Sequence, residues 1–212
     1  MHARALKNES FPKRVLDSVL ATIGLLSSGP LWLAVALGIK LEDGGPVFFR
    51  QERWGRGGKR FVVYKFRTMV ASPNNSERSV QAIVGDPRVT RIGRLLRATA
   101  LDELPQLLNI LKGDMSFVGP RALPINERQA RDDGAEIADD KVAGFKDRLL
   151  VRPGLTGIAQ VYAPRDVLRR HKFKYDLLYI RRWSFWLDIR LIVLSLWISV
   201  GAKWERENKA RH

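Results

Sequence analysis

Ser18–Ile39 is a stretch of 22 residues without a charge. As a helix it is about 33 Å long, enough for a bilayer core of ~30 Å. Ser27-Ser28-Gly29-Pro30 interrupts it midway, and Pro30 removes a backbone donor and crowds the preceding turn. Both flanks are basic: Arg4, Lys7, Lys13 and Arg14 precede the stretch, and Lys40, Arg50, Arg53, Arg56, Lys59 and Arg60 follow it. A spanning helix concentrates Lys and Arg on one side. Two basic flanks suit a helix that enters, breaks at Ser28-Gly29-Pro30 and returns to the same face. A kinked span fits the pattern as well. Ala34-Val35-Ala36 has the small residues of a cleavage site, but the run before it is long for a signal peptide and contains Gly-Pro. A second apolar segment, Trp183–Trp204, holds Asp188 and Arg190 and then 12 uncharged residues, too few to span. It contains Trp183, Trp186, Trp197 and Trp204, and a basic-aromatic run, Arg169–Tyr175, precedes it. Between a buried core helix and an amphipathic helix on an anionic surface, the second is favoured.

The middle of the chain is patterned differently. Val47–Arg53 and Arg60–Arg67 are rich in Val, Phe and Tyr, with a Gly-rich link between them. They predict a β-hairpin, with Lys65 and Arg67 on one strand face. After the turn at Asp86-Pro87, Arg88, Arg91, Arg94 and Arg97 recur every three residues along one face of a predicted helix. That row is either a solvated face or a phosphate-facing one. Leu104, Leu107, Leu108 and Leu111 follow an amphipathic helical spacing. Pro105 is tolerated only in a first turn, so this helix is predicted to begin near Asp102 and to stop at Gly113. Asp102 and Glu103 alone would read as N-terminal capping. Two Gly/Pro loops follow, each with an arginine: Gly119-Pro120-Arg121 and Arg152–Gly157. Arginine grips phosphate oxygens with paired donors. Within residues 122–150, Asp132, Asp133, Glu136, Asp139 and Asp140 fit no ligand spacing, and the stretch reads as a solvated excursion.

Charge sharpens this picture. The net charge is +15, which calls for an anionic partner. Residues 1–60 carry 10 basic and 5 acidic groups, and residues 151–212 carry 13 and 5. The excess therefore accompanies the apolar segments. The chain has no Cys and three dispersed His, which excludes disulfides, thiolate chemistry and a His-based zinc site. A nucleic-acid motif is lacking, so nucleic acid is not an expected partner.

Five motifs in order carry a family resemblance. They are Gly45–Gln51, Tyr64–Met69, Leu101–Leu107, Leu111–Ser116 through Gly119-Pro120-Arg121, and Arg152–Gly157. The chain resembles the bacterial sugar transferases, monotopic polyprenyl-phosphate phosphoglycosyl transferases that begin capsule, O-antigen and glycoconjugate assembly. The match runs from about Phe11 to Ala202.

The resemblance implies an α+β, helix-rich monotopic membrane protein. Residues 1–40 would form the re-entrant helix, 41–182 the cytoplasmic catalytic domain with its small β-hairpin, and 183–204 a C-terminal interfacial helix. The enzyme would sit on the cytoplasmic leaflet of the inner membrane, on anionic lipids. Asp102 would attack the β-phosphate of a UDP-sugar, release UMP and hold the sugar phosphate covalently. Polyprenyl (undecaprenyl) phosphate would then take it, supplying downstream glycosyltransferases. Mg²⁺ is the implied cofactor, with Asp102 and Glu103 as its candidate ligands. Lys65, Arg67, Arg97, Arg121, Arg152, Gly154 and Thr156 are the candidate phosphate contacts. Two departures stand out. The family's helix break is Ser-Pro, whereas this chain has Gly29-Pro30 with Ser28 one residue earlier. The family commonly has Val-Asn-Gly-Arg after Gln160, whereas this chain has Val161-Tyr162-Ala163-Pro164-Arg165. A different class, a non-catalytic basic membrane-surface protein, is the alternative reading.

Overall fold

The structure is a computed structural model that describes residues 10–70, 86–125, 128–130, 136–164 and 169–200. The chain opens with helix α1, Phe11–Asp43. It is the one helix among the described residues long and apolar enough to cross a membrane. Its inward residues recur at helical spacing: Lys13, Asp17, Ala21, Val35 and Ile39 are buried. Phe11, Val15, Val19, Ile23, Leu26, Leu33, Leu37 and Leu41 form the opposite, exposed face. An exposed apolar stripe this long is unusual for a helix surrounded by water. The helix continues through Pro30. The hydroxyl of Ser28 donates to the Gly24 carbonyl (2.6 Å) and accepts from the Trp32 indole N–H (3.0 Å). The break expected at Ser28-Gly29-Pro30 is therefore corrected: these residues lie inside one uninterrupted helix, and the Ser28 hydroxyl bonds within it.

After Gly44, strands β1 (Phe48–Trp54) and β2 (Arg60–Phe66) form the predicted antiparallel hairpin, with Gln51 opposite Val63. Helix α2 (Arg91–Ala98) carries Arg91, Arg94 and Arg97, whereas Arg88 lies before its N-cap, Thr90, and pairs with Asp86. A 3₁₀ turn, Leu101–Glu103, comes next, and α3 (Gln106–Lys112) begins only after Pro105. The predicted start near Asp102 is therefore corrected: the carboxylate pair belongs to the tighter turn. Gly113 ends α3 at φ 92°, a left-handed stop that favours glycine.

Strand β3 (Ser116–Val118) pairs in parallel with β6 (Gly154–Thr156). The two backbones approach so closely that a Cβ on Gly154 would lie 2.0 Å from the Gly119 amide nitrogen. Between them lie β4 (Arg128–Ala130), β5 (Glu136–Ala138) and helix α4 (Phe145–Arg148). This region is not simply a solvated excursion. Leu123 and Phe145 are buried with Phe173. Arg148 donates to Asp176 at 3.0 Å with both side chains buried. Helices α5 (Ile158–Tyr162), α6 (Arg169–Arg182) and α7 (Phe185–Val200) close the chain.

One body grips α1 at both ends. At its start, Lys13 Nζ donates to Asp188 Oδ2 (2.7 Å) and to the Val118 carbonyl (3.1 Å). The Tyr179 hydroxyl and the Trp183 indole also donate to Asp188 (2.8 and 3.0 Å). Arg14 donates to the Ile110 and Leu111 carbonyls at the end of α3. At the other end of α1, Glu42 accepts from the backbone N–H groups of Arg91 and Ile92 (2.6 and 3.1 Å). Asp43 accepts from both terminal nitrogens of Arg67. In between, Ala21 and Leu25 pack with Leu107 and Ile110, and Val35 and Ile39 pack with Phe66 and Leu96.

The C-terminal helix corrects the expected amphipathic pattern, for it buries Asp188 and exposes an apolar face. Trp186, Val193, Leu196 and Trp197 are exposed on α7. Trp183 instead turns inward onto Asp188, and Trp204 lies outside the described residues.

The Lys13–Asp188 pair yields a stability prediction. Lys13→Met leaves Asp188 buried without its cation and is expected to cost ~3–5 kcal/mol. The unfolding midpoint in detergent should fall accordingly. The double variant Lys13→Met/Asp188→Asn should recover part of the loss.

Candidate active site

Three pieces of backbone meet at Asp102-Glu103. The turn that carries the pair is entered through Ala100 at φ 55°, ψ 17°. A non-glycine residue in the left-handed region is uncommon and is found where surrounding structure enforces it. Here the enforcement comes from below. Leu101 and Leu104 pack against the cluster of Val35, Ile39, Phe66 and Leu96. They leave the two carboxylates facing away from that core.

Strand β2 supplies the main cation. Asn109 on α3 is fully buried and fixes the strand's position. Its Oδ1 accepts from the Tyr64 N–H (3.1 Å), and its Nδ2 donates to the Val62 carbonyl (2.7 Å). Lys65, next along the strand, donates to Glu103 Oε1 at 2.5 Å and lies 3.9 Å from Asp102 Oδ2. Arg121, on the Gly119-Pro120-Arg121 loop, donates to the same Glu103 oxygen at 3.1 Å. Arg97 is held by Thr68, to whose hydroxyl it donates at 2.8 Å. From there its charge acts on Asp102.

The two carboxylates differ in their electrostatics. Burial pushes the Asp102 carboxyl up to about 6; the Lys65 charge opposes this and the Glu103 charge adds to it. Burial also opposes the charge on Glu103. There, however, Lys65 and Arg121 outweigh it and hold the carboxyl well below the usual range. Glu103 is consequently a neutralised anion inside a cationic clamp. Asp102 is more basic than an ordinary aspartate, and among the described residues its one ion-pair partner is Lys65, at 3.9 Å. A basic, ionised, lightly solvated carboxylate is what a carboxylate nucleophile requires.

The sequence-predicted contacts divide. Lys65, Arg97 and Arg121 gather around Asp102 and Glu103. Arg67 instead binds Asp43 and the Pro46 carbonyl. Arg152 donates to the Gly113 carbonyl at the far end of α3. Gly154 spends its backbone on the parallel pair with β3, and the Thr156 hydroxyl meets Ser195 on α7. Sequence reasoning missed Arg53, whose charge also lowers Glu103. It lies one strand away on β1, and nothing in its local pattern separates it from the basic flank. Among the described residues no group of three or more His, Cys, Asp or Glu is poised for a metal. Two adjacent carboxylates do suit Mg²⁺, which commonly binds through one or two carboxylates and completes its shell with water and substrate phosphate.

Comparison with known proteins gives this arrangement its context. The family model described as "Bacterial sugar transferase" matches residues 8–202. A UDP-glucose:undecaprenyl-phosphate glucose-1-phosphate transferase of Xanthomonas campestris is 42% identical over 196 residues, 90% of this chain and 39% of that protein. A protein of the same description from Caulobacter vibrioides is 45% identical over 189 residues, 87% of this chain and 68% of the relative. A UDP-N-acetylgalactosamine-undecaprenyl-phosphate N-acetylgalactosaminephosphotransferase of Aeromonas hydrophila is 42% identical over 191 residues, 88% of this chain and 43% of the relative. The chain thus spans about two fifths of the length of several of the relatives it matches. With nearly its whole described length inside the family match, and with the Asp-Glu turn clamped as above, the chain belongs to the bacterial sugar transferase family.

Proposed function

We propose that the protein is a phosphoglycosyl transferase that moves a sugar 1-phosphate from a UDP-sugar to polyprenyl phosphate at the cytoplasmic face of a membrane. The observation that carries this reading is the asymmetry of the carboxylate pair: Glu103 is bound by Lys65 at 2.5 Å and by Arg121, whereas Asp102 beside it lies 3.9 Å from Lys65. The relatives' printed activities support the donor and acceptor classes. Those activities involve different sugars, so the donor sugar of this chain is left open.

In the first step an Asp102 oxygen attacks the β-phosphorus of the UDP-sugar. The bond from that phosphorus to the bridging oxygen breaks, and UMP departs with the electron pair. The sugar phosphate remains as an acyl phosphate on Asp102. In the second step an oxygen of polyprenyl phosphate attacks the same phosphorus. Asp102 leaves as a carboxylate, and the product is a polyprenyl diphospho-sugar. Splitting one displacement between polyanions into two lowers each barrier. Arg97, Arg121 and Lys65 offset charge on the transferring group, the kind of fixed stabilisation that dominates phosphoryl transfer. Mg²⁺, held by Asp102 or Glu103 together with the diphosphate, would supply further charge neutralisation.

The membrane part of the reading is a re-entrant α1. The exposed stripe of α1 suits lipid contact. The polar bonds at Lys13, Arg14, Glu42 and Asp43 all go to one body, whose packing follows the helix along its length. A full crossing would place these two charged ends on opposite faces and draw that body into hydrocarbon, where unsolvated charge is costly. Return to one face keeps the site beside a lipid phosphate and a soluble nucleotide.

Three outcomes test the reading. UMP release from a UDP-sugar should require polyprenyl phosphate for sustained turnover, and a panel of UDP-sugars would identify the donor. Asp102→Asn should lower turnover by more than ~10³-fold with an unchanged unfolding midpoint; full turnover would remove Asp102 as nucleophile. Chelation with EDTA should abolish turnover, and added Mg²⁺ should restore it.

A further inference from the structure

A cleft of about 450 Å³ opens among α5, α6 and α7, within the ~300–1,000 Å³ range of small-ligand sites. Each helix contributes residues about one turn apart. Ile158 and Tyr162 come from α5; Tyr175, Leu178 and Arg182 from α6; Leu187 and Arg190 from α7. No lining residue belongs to the Asp102-Glu103 clamp.

The arginines are the informative groups. Arg182 and Arg190 are both exposed, and among the described residues neither has a hydrogen-bond or ion-pair partner. Arg190 follows Trp186 by four positions and precedes Val193 by three, with Trp197 four further on. It therefore lies within the exposed apolar stripe of α7. Arg182 follows Leu178 by one turn on α6, and Leu178 is itself exposed. Two guanidiniums that are unpaired among the described residues and set in apolar stripes are placed to take an anion delivered from the apolar side. Arginine holds phosphate oxygens through parallel donors, while the leucines and Ile158 offer contact for hydrocarbon. The Tyr162 and Tyr175 hydroxyls, unpartnered among the described residues, add donors at the wall. Tyr162 stands where the chain departs from the family's Asn, so this wall is a feature of this chain.

We propose that the cleft binds the phosphodiester headgroup of an anionic phospholipid, with Arg182 and Arg190 on the phosphate and the adjoining acyl chain along Leu178 and Leu187. The proposal rests on the membrane-surface reading above. It adds to that reading a defined lipid site, separate from the one at which the acceptor reacts.

The test uses the full chain in neutral detergent, with phosphatidylglycerol and phosphatidylcholine of identical acyl chains as probes. Lipid retention is read by native mass spectrometry. The wild type should retain phosphatidylglycerol at least ~10-fold better than phosphatidylcholine. Arg182→Gln/Arg190→Gln should lose that preference with an unchanged unfolding midpoint and an unchanged KM for the UDP-sugar. Arg182→Lys/Arg190→Lys should keep part of it. Millimolar inorganic phosphate should not displace the lipid. Equal retention of phosphatidylglycerol by wild type and the Gln variant would overturn the proposal. So would displacement by free phosphate, or a raised KM that makes the cleft part of the nucleotide-sugar site. Flotation with phosphatidylcholine vesicles separates the two levels. A wild type that floats but shows no headgroup preference contradicts the lipid site alone; one that fails to float with any vesicle contradicts the membrane reading as well.

Discussion

Two of the apolar clusters in this fold are built on one apolar helix that the rest of the chain holds at both ends. Lys13 is tied to Asp188 and Val118 at one end of α1, and Glu42 and Asp43 are tied to α2 and Arg67 at the other. Each tie engages a different part of the chain: the C-terminal helices, α3, α2 and the hairpin. Between α1 and α6 the elements are short, and among the described residues the sheets are pairs of strands. The inward stripe of α1 supplies what such small pieces lack, a common apolar surface. Its outward stripe is left unburied, and the proposed membrane contact completes the burial that the protein does not provide.

The same construction sets up the chemistry. Because α3 packs beneath α1 and Asn109 pins β2 onto α3, Lys65 is delivered to Glu103 by the core itself. Glu103 takes the cation and Arg121 as well. Asp102, one residue earlier in the tight turn, is left with the burial and only the longer 3.9 Å approach of Lys65. One lysine thus differentiates two adjacent carboxylates that sequence presents as equals. A site built this way holds its polarity before substrate arrives, which is how fixed charges assist transfer between polyanions.

Much of this was legible in the residues. The hairpin followed from its Val/Phe/Tyr strands and Gly-rich link, and the arginine-bearing helix from its spacing of three. What escaped were ties between residues far apart in sequence. Lys13 read as part of a basic membrane flank, yet it is buried against a residue 175 positions on. Arg67 read as a phosphate ligand because it shares a strand face with Lys65, but Asp43 claims it. The acidic excursion read as solvated because the partner of Arg148 is Asp176, on α6 beyond both β6 and α5. Periodicity reports which face an element hides, and it is silent on which distant charge meets it there. The carboxylate pair was recognised through motif order, whereas its asymmetry became visible only once β2 was placed.

The central claim is that both ends of α1 lie on one side of the membrane, beside the catalytic turn. The chain has no cysteine, so single-Cys variants at Lys7 and Arg56 report each end without background. In cells or spheroplasts treated with a membrane-impermeant maleimide, both positions should be protected until the membrane is permeabilised, and then both should label. Labelling of one position from outside while the other requires permeabilisation would contradict the account.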